Sequence, residues 1–96
     1  MRMMLRVTTP VEQGNAAIKD GSLASIVQAF IATHKPEAAY FTAEGGDRTA
    51  YFVFDLAEAS AIPSIAEPFF QGLHAMIDLQ PVMSAEDLAK GLSAVK

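Results

Sequence analysis

The sequence has no cysteine and no tryptophan, and it has only two histidines. The lack of cysteine excludes a disulfide scaffold, a thiol nucleophile, an iron–sulfur cluster and a cysteine-ligated zinc site. The histidines, His34 and His74, fall on separate predicted elements without metal-ligand spacing, so we expect no metal site and no cofactor. A single haem ligand at His74 is the one exception left open.

Positive charge and long apolar runs are also scarce. Seven Lys and Arg residues stand against eleven Asp and Glu residues, giving a net charge of −4. This balance disfavours nucleic-acid binding, which needs a basic patch to neutralise phosphates. No apolar run approaches the roughly 18 residues of a membrane span, and the N-terminal run is too short for a signal peptide. We expect a cytoplasmic protein that binds neither nucleic acid nor membrane.

Apolar residues are abundant, at 51% of the chain against 19% charged residues. This composition excludes intrinsic disorder, and the length suits one domain over residues 1–96. It is also rich in apolar residues for a small soluble monomer, so we expect part of the surface to meet a partner.

The start of the chain predicts a strand and then a helix. Apolar and polar residues alternate over residues 3–8, which is typical of a half-buried strand. Thr9, Pro10 and Glu12 have the spacing of a capping box. We therefore expect a helix capped by Thr9 that runs to about Lys19.

The middle of the chain predicts a second helix and a β-hairpin. Ser22 is the expected cap of this helix, which stops before Pro36. Two aromatic and β-branched runs, 39–42 and 49–54, flank Gly45–Gly46 and predict a hairpin with a tight turn.

Around this turn, the segment Glu44–Arg48 does not match a phosphate-binding loop, because a strand follows it instead of a helix. We expect Arg48 to pair with Glu44 or Asp47 at the surface, and Asn15 to hydrogen-bond the backbone beside Gly14.

Residues 57–72 are the hardest to interpret. We expect a short helix after Ser60 that ends or kinks at Glu67–Pro68. Alternation then predicts a fourth strand over residues 74–80, and Ser84 is the predicted cap of a terminal helix.

The element order β-α-β-β-α-β with an extra C-terminal helix predicts an α+β fold of the ferredoxin-like split β-α-β type. Its four-stranded antiparallel sheet would carry the main helices on one face. The other face is mixed, with apolar, aromatic and charged side chains, and two such faces stacked in a homodimer would enclose a cavity. The terminal helix would alternatively fold over this face or reach the partner.

Six segments of the chain carry a resemblance to a known group of proteins: Gly14–Asn15, Pro36–Phe41, Gly46–Thr49, Glu67–Phe70, Pro81–Met83 and Glu86–Leu88. With these segments the whole chain resembles small bacterial proteins of unknown function that have a ferredoxin-like, dimeric α/β-barrel fold. The resemblance implies a homodimer and no established activity. The wider group includes cofactor-free monooxygenases, lactone isomerases, haem-handling enzymes and ligand binders.

The candidate ligand-binding residues lie on the mixed face: Arg6, Tyr40, Tyr51, His74 and Asp78. Arg6 would anchor a substrate carboxylate, the tyrosines would donate hydroxyl hydrogen bonds, and His74 would act as a general base. Alternatively, Arg6 forms an interface ion pair with Asp78 or with Asp55, and the tyrosines pack in the dimer.

The sequence therefore favours a homodimeric protein that binds a small acidic or aromatic metabolite in a cavity on the open sheet face. A cofactor-independent isomerase or monooxygenase with His74 as its base is one alternative. A structural subunit that binds another protein is the other.

Overall fold

Four strands and four α-helices follow one another in the order that the sequence predicts. The computed structural model describes residues 1–96. The elements are β1 (Arg2–Thr9), α1 (Val11–Lys19), α2 (Ser22–His34), β2 (Ala38–Glu44), β3 (Asp47–Asp55), a 3₁₀ turn (Ala59–Ala61), α3 (Ile62–Leu73), β4 (Met76–Pro81) and α4 (Ala85–Ser93).

The strands form one antiparallel sheet in the order β2-β3-β1-β4. β1 is central, so Arg6 lies directly opposite Tyr51 of β3 on one side and Asp78 of β4 on the other. Side chains from α1, α2 and α3 join the core on one face of this sheet. The strand order and the helix placement confirm the predicted ferredoxin-like α+β fold.

The core lies between the sheet and α1–α3. Phe30 of α2 is at its centre, with its ring centroid 4.7 Å from that of Phe52 and 5.9 Å from that of Phe69. Burial of each large apolar side chain contributes about 1.5–3 kcal/mol relative to exposure. The largest fully buried side chains are Leu5, Phe52, Phe54, Ile65, Phe69 and Leu73.

The predicted hairpin is confirmed, and its turn explains the two adjacent glycines. Gly45 and Gly46 have φ values of 61° and 86°. Two successive residues with positive φ are the requirement of a type I′ turn, whose twist matches that of the strands it joins. The turn places Glu44 opposite Asp47.

The predicted capping box at the start of α1 is wrong. Pro10 is the N-cap, with φ −57° and ψ 143°, and no side chain caps the helix. The Pro10 carbonyl accepts the first helical hydrogen bond, from the Gly14 N–H at 2.8 Å. Thr9 stays in β1, opposite Arg48, because the sheet ladder continues to that position.

The start of α2 also differs from the prediction by one residue. Gly21, at φ 80°, is the N-cap and Ser22 is the first helical residue. The Asp20 carboxylate accepts a hydrogen bond from the Ser22 N–H at 2.8 Å. Hydrogen bonding from Ser22 lowers the pKa of Asp20. The side chain that accepts a hydrogen bond from the start of α2 is therefore that of Asp20, and not that of Ser22 as predicted.

The helix does not end at Glu67–Pro68, which was one of the two outcomes predicted there, since α3 continues through Pro68 to Leu73. A proline removes a hydrogen bond to the carbonyl four residues earlier, which here belongs to the exposed Ser64. Water can satisfy that carbonyl. The buried side chains of α3 hold the helix together on its other side, and they are Ile65, Ala66, Phe69 and Leu73.

His74 is not part of a strand, which corrects the predicted start of β4. It is the C-cap of α3 in the left-handed conformation, with φ 51°, and β4 begins at Met76. The Ala75 N–H donates a hydrogen bond to the Phe69 carbonyl at 3.2 Å, so residues 74 and 75 still belong to the hydrogen-bonded C-terminal end of α3.

The terminal helix α4 has the predicted capping box but covers nothing. Ser84 Oγ accepts from the Asp87 N–H, and the Asp87 carboxylate accepts from the Ser84 N–H, both at 3.1 Å. No residue of α4 is buried, so it does not fold over the open sheet face of its own chain. None of the helices combines the length and the apolar composition that crossing a membrane requires.

Candidate functional site

The sheet face away from α1–α3, here called the open face, has no helix over it. Strand register and alternation assign its side chains. The arrangement differs from the face predicted from the sequence at two positions: Glu44 at the end of β2 is added, and His74, which precedes β4, is absent. Its members include Met4, Arg6, Thr8, Tyr40, Thr42, Glu44, Tyr51, Val53, Asp55, Met76, Asp78 and Gln80.

Arg6 is the centre of the polar part of this face. Its Nε donates to Asp78 Oδ2 at 3.1 Å, and its Nη2 contacts the same oxygen. Its Nη1 donates to Glu44 Oε2 at 3.3 Å. The hydrogen bond to Asp78 raises the pKa of Arg6, so Arg6 is a fixed cation held between two carboxylates.

Tyr51 joins this arrangement from β3. Its hydroxyl donates to Glu44 Oε1, and this hydrogen bond raises the pKa of Tyr51. Glu44 therefore accepts from Tyr51 with one oxygen and from Arg6 with the other. Arg6, Glu44, Tyr51 and Asp78, one residue from each strand, form what we call the four-strand cluster.

A hollow of about 310 Å³ opens beside the four-strand cluster. Its wall offers hydroxyl, guanidinium, carboxylate and amide groups close to a methionine, which can hydrogen-bond a ligand on one side and pack it on the other. The lining residues are Met4, Arg6, Tyr51, Asp78 and Gln80. No three His, Asp or Glu side chains anywhere in the chain are placed to share a metal ion.

The structure brings together three of the five predicted site residues, namely Arg6, Tyr51 and Asp78. Tyr40 is directly opposite Tyr51 but is 70% exposed and does not line the hollow. His74 lies at the end of α3 and forms no hydrogen bond or ion pair with the others. Its predicted place on the β4 face is wrong, because the chain has not yet entered the strand.

Glu44 is the functional candidate that the sequence analysis missed. The sequence alone suggests it only as a surface partner of Arg48, yet it shares the alternation of Tyr40 and Thr42 along β2. That alternation places it on the open face, where its carboxylate meets Arg6 and Tyr51. The alternation of β2 continues to Glu44, the last residue before Gly45, and this continuation is the sequence signal that places Glu44 on the open face.

The expected pairing of Arg48 with Glu44 or Asp47 is also wrong. Arg48 shares the face of Phe52 and Ala50, so it points toward the helices. Its Nη2 donates to Asn15 Oδ1 at 3.0 Å and its Nη1 to the Val11 carbonyl at 3.4 Å. Asn15 therefore binds a side chain of β3 and not the backbone beside Gly14.

Comparisons with known proteins show a structural likeness to solved proteins. A solved crystal structure from Deinococcus radiodurans, provisionally described as an antibiotic biosynthesis monooxygenase, matches with a TM-score of 0.47. The match has 13% sequence identity and covers 88% of this chain and 95% of that chain. No family model and no curated protein matches the sequence. The ferredoxin-like fold follows from the strand order and helix placement of the chain itself.

Proposed function

We propose that this protein is a homodimer that binds a small molecule in a cavity between two stacked open faces. The observation that carries the proposal is the four-strand cluster, which borders a hollow of about 310 Å³ on a face without a cover. Exposed apolar side chains flank it on both edge strands: Tyr40 is 70% exposed on β2 and Met76 is 72% exposed on β4.

A second copy of the chain is the partner best suited to cover the open face. In a two-fold dimer the same face is used by both subunits, so apolar edges meet apolar edges. Two hollows brought together give a cavity within the roughly 300–1,000 Å³ of small-molecule sites. Burial of Tyr40 and Met76 against the partner supplies the hydrophobic gain, because both are exposed in the single chain.

Charge in the cluster favours an aromatic, neutral ligand over an acid. Arg6 already has two carboxylate partners, Asp78 and Glu44, so it offers no unneutralised charge. An acidic ligand would have to displace one of them. A ring that packs on Met4 and hydrogen-bonds Tyr51 or Gln80 needs no such exchange. His74 lies outside the hollow, so we propose binding and no step of base catalysis.

Native mass spectrometry on freshly purified, tag-free protein tests both parts of this proposal. The expected result is the mass of two chains with a retained small molecule. A monomer over a wide concentration range contradicts the dimer. A dimer that retains nothing, and that takes up no phenol when it is added, contradicts the ligand.

A further inference from the structure

A second cavity lies on the opposite side of the sheet, between the sheet, α2 and α3. It has a volume of about 200 Å³. Its wall is mostly apolar, and Arg48 is its only charged residue. Its lining includes Val7, Leu23, Val27, Arg48, Phe69 and Leu73. We call it the helix-side pocket.

Arg48 differs from the other two arginines of the chain. Arg2 pairs with Glu37 and Asp87, and Arg6 pairs with Glu44 and Asp78. Arg48 forms no ion pair, and its acceptors are the neutral oxygens of Asn15 and Val11. A half-buried guanidinium beside an apolar cavity, without an ion-pair partner of its own, is suited to bind an anion.

The lack of a side chain at Gly14 leaves the space that the Arg48 guanidinium occupies. A Cβ at Gly14 would lie 2.5 Å from Arg48 Nη1 and 3.3 Å from its Cζ. A side chain at this position of α1 would force the guanidinium to shift. Glycine inside a helix costs about 1 kcal/mol relative to alanine, so Gly14 is tolerated here at the expense of helix stability.

We infer that the helix-side pocket binds a small monocarboxylate with an apolar body. The body lies between α2 and the sheet, against Val27 and Phe69, and the carboxylate pairs with Arg48. The size agrees, because an apolar cavity of about 150 Å³ holds one benzene ring. This site is separate from the one in the proposed function, which lies on the open face and favours a neutral ligand.

Isothermal titration calorimetry with phenylacetate and its neutral analogue phenylacetamide tests the inference. We expect the wild-type protein to bind phenylacetate at least tenfold more tightly than phenylacetamide. Arg48→Gln should remove that difference while leaving the weak binding of phenylacetamide. Lys90→Gln, which removes one positive charge on α4, is the matched control and should bind phenylacetate as the wild type does.

Two further variants separate a lost contact from a lost fold. Gly14→Ala should displace the guanidinium, weakening phenylacetate binding several-fold while thermal stability stays the same or rises. Val27→Phe fills the pocket and should weaken both probes. Circular dichroism verifies that each variant is folded.

Three results would overturn the inference. The first is that the folded wild-type protein binds neither probe at millimolar concentration. The second is that it binds the two probes equally. The third is that Arg6→Gln abolishes phenylacetate binding while Arg48→Gln does not, which would place the acid on the open face. Because the pocket lies within one chain, binding should persist in a variant that no longer dimerises, so the two proposals fail independently.

Discussion

The hydroxyl of Tyr51 on β3 donates a hydrogen bond to the carboxylate of Glu44, which ends β2. Glu44 is next to the hairpin turn, and its side chain reaches back along the open face to Tyr51. The same carboxylate accepts from Arg6 at 3.3 Å. One glutamate at the end of an edge strand therefore connects the outer hairpin to the central strand.

The first prediction concerns the titration of Tyr51. The hydrogen bond to Glu44 raises the pKa of Tyr51, because an ionised phenol would face a carboxylate. The native state therefore holds this proton more tightly than the unfolded state. Its contribution to stability is complete below the unfolded value of about 10 and is lost as the pH rises through the folded pKa.

Ultraviolet absorbance of phenolate measures this titration in a Tyr40→Phe background, where Tyr51 is the only tyrosine. We expect Glu44→Gln to lower its midpoint. Glu37→Gln, which removes a carboxylate paired with Arg2, is the control and should leave the midpoint in place. An unchanged midpoint in Glu44→Gln would show that the two groups do not interact in solution.

The second prediction concerns assembly through the open face. Met76→Lys and Tyr40→Lys place a positive charge where two copies are proposed to meet, so each variant should shift the protein toward monomer. Sedimentation velocity measures the shift. Ile18→Lys, at a 54% exposed apolar position on α1, is the matched control and should assemble like the wild type. Equal effects at all three positions would argue against the open face as the interface.

The third prediction uses two adjacent phenylalanines in α3. Phe69 is 1% exposed and Phe70 is 42% exposed. Phe69→Ala leaves a cavity between α2 and the sheet and should cost about 3–5 kcal/mol of unfolding free energy. Phe70→Ala should cost well under half as much. Urea denaturation measures both, and similar losses would mean that the helix is rotated relative to the structure described.

The fourth prediction concerns α4. Deleting residues 84–96 should change the denaturation midpoint little, since the helix buries no residue and its Arg2–Asp87 ion pair is exposed. Leu73→Ala, at a fully buried position of α3, is the contrast and should cost about 2–5 kcal/mol. A comparable loss on truncation would mean that α4 packs on the rest of its own chain.

Residue alternation and turn chemistry were sufficient to predict the strands and the hairpin. Alternation along β1 places Leu5 and Arg6 on opposite faces of the sheet. The adjacent glycines at positions 45 and 46 specify the turn. Both signals act within a few residues, where sterics and side-chain direction are fixed by the local backbone. The capping box at Ser84 is local in the same sense and was also predicted correctly.

The errors occur where a distant contact outweighed a local preference. Pro68 predicts a break, but the burial of Phe69 and Leu73 against the sheet carries α3 through it. His74 has the alternation of a strand, but closure of α3 holds it outside one. Local propensities of this kind are worth about 1–3 kcal/mol each, which tertiary burial of several side chains exceeds.

The sequence by itself determined the element order, the two faces of the sheet and the absence of cysteine chemistry, because each follows from residue identity and short-range spacing. Only the tertiary structure decided which charges meet. Arg6, Glu44, Tyr51 and Asp78 come from four strands, and Arg48 turns from its neighbours in the hairpin to Asn15 on α1. Such pairings depend on strand register and helix placement, which residues distant in the chain fix together.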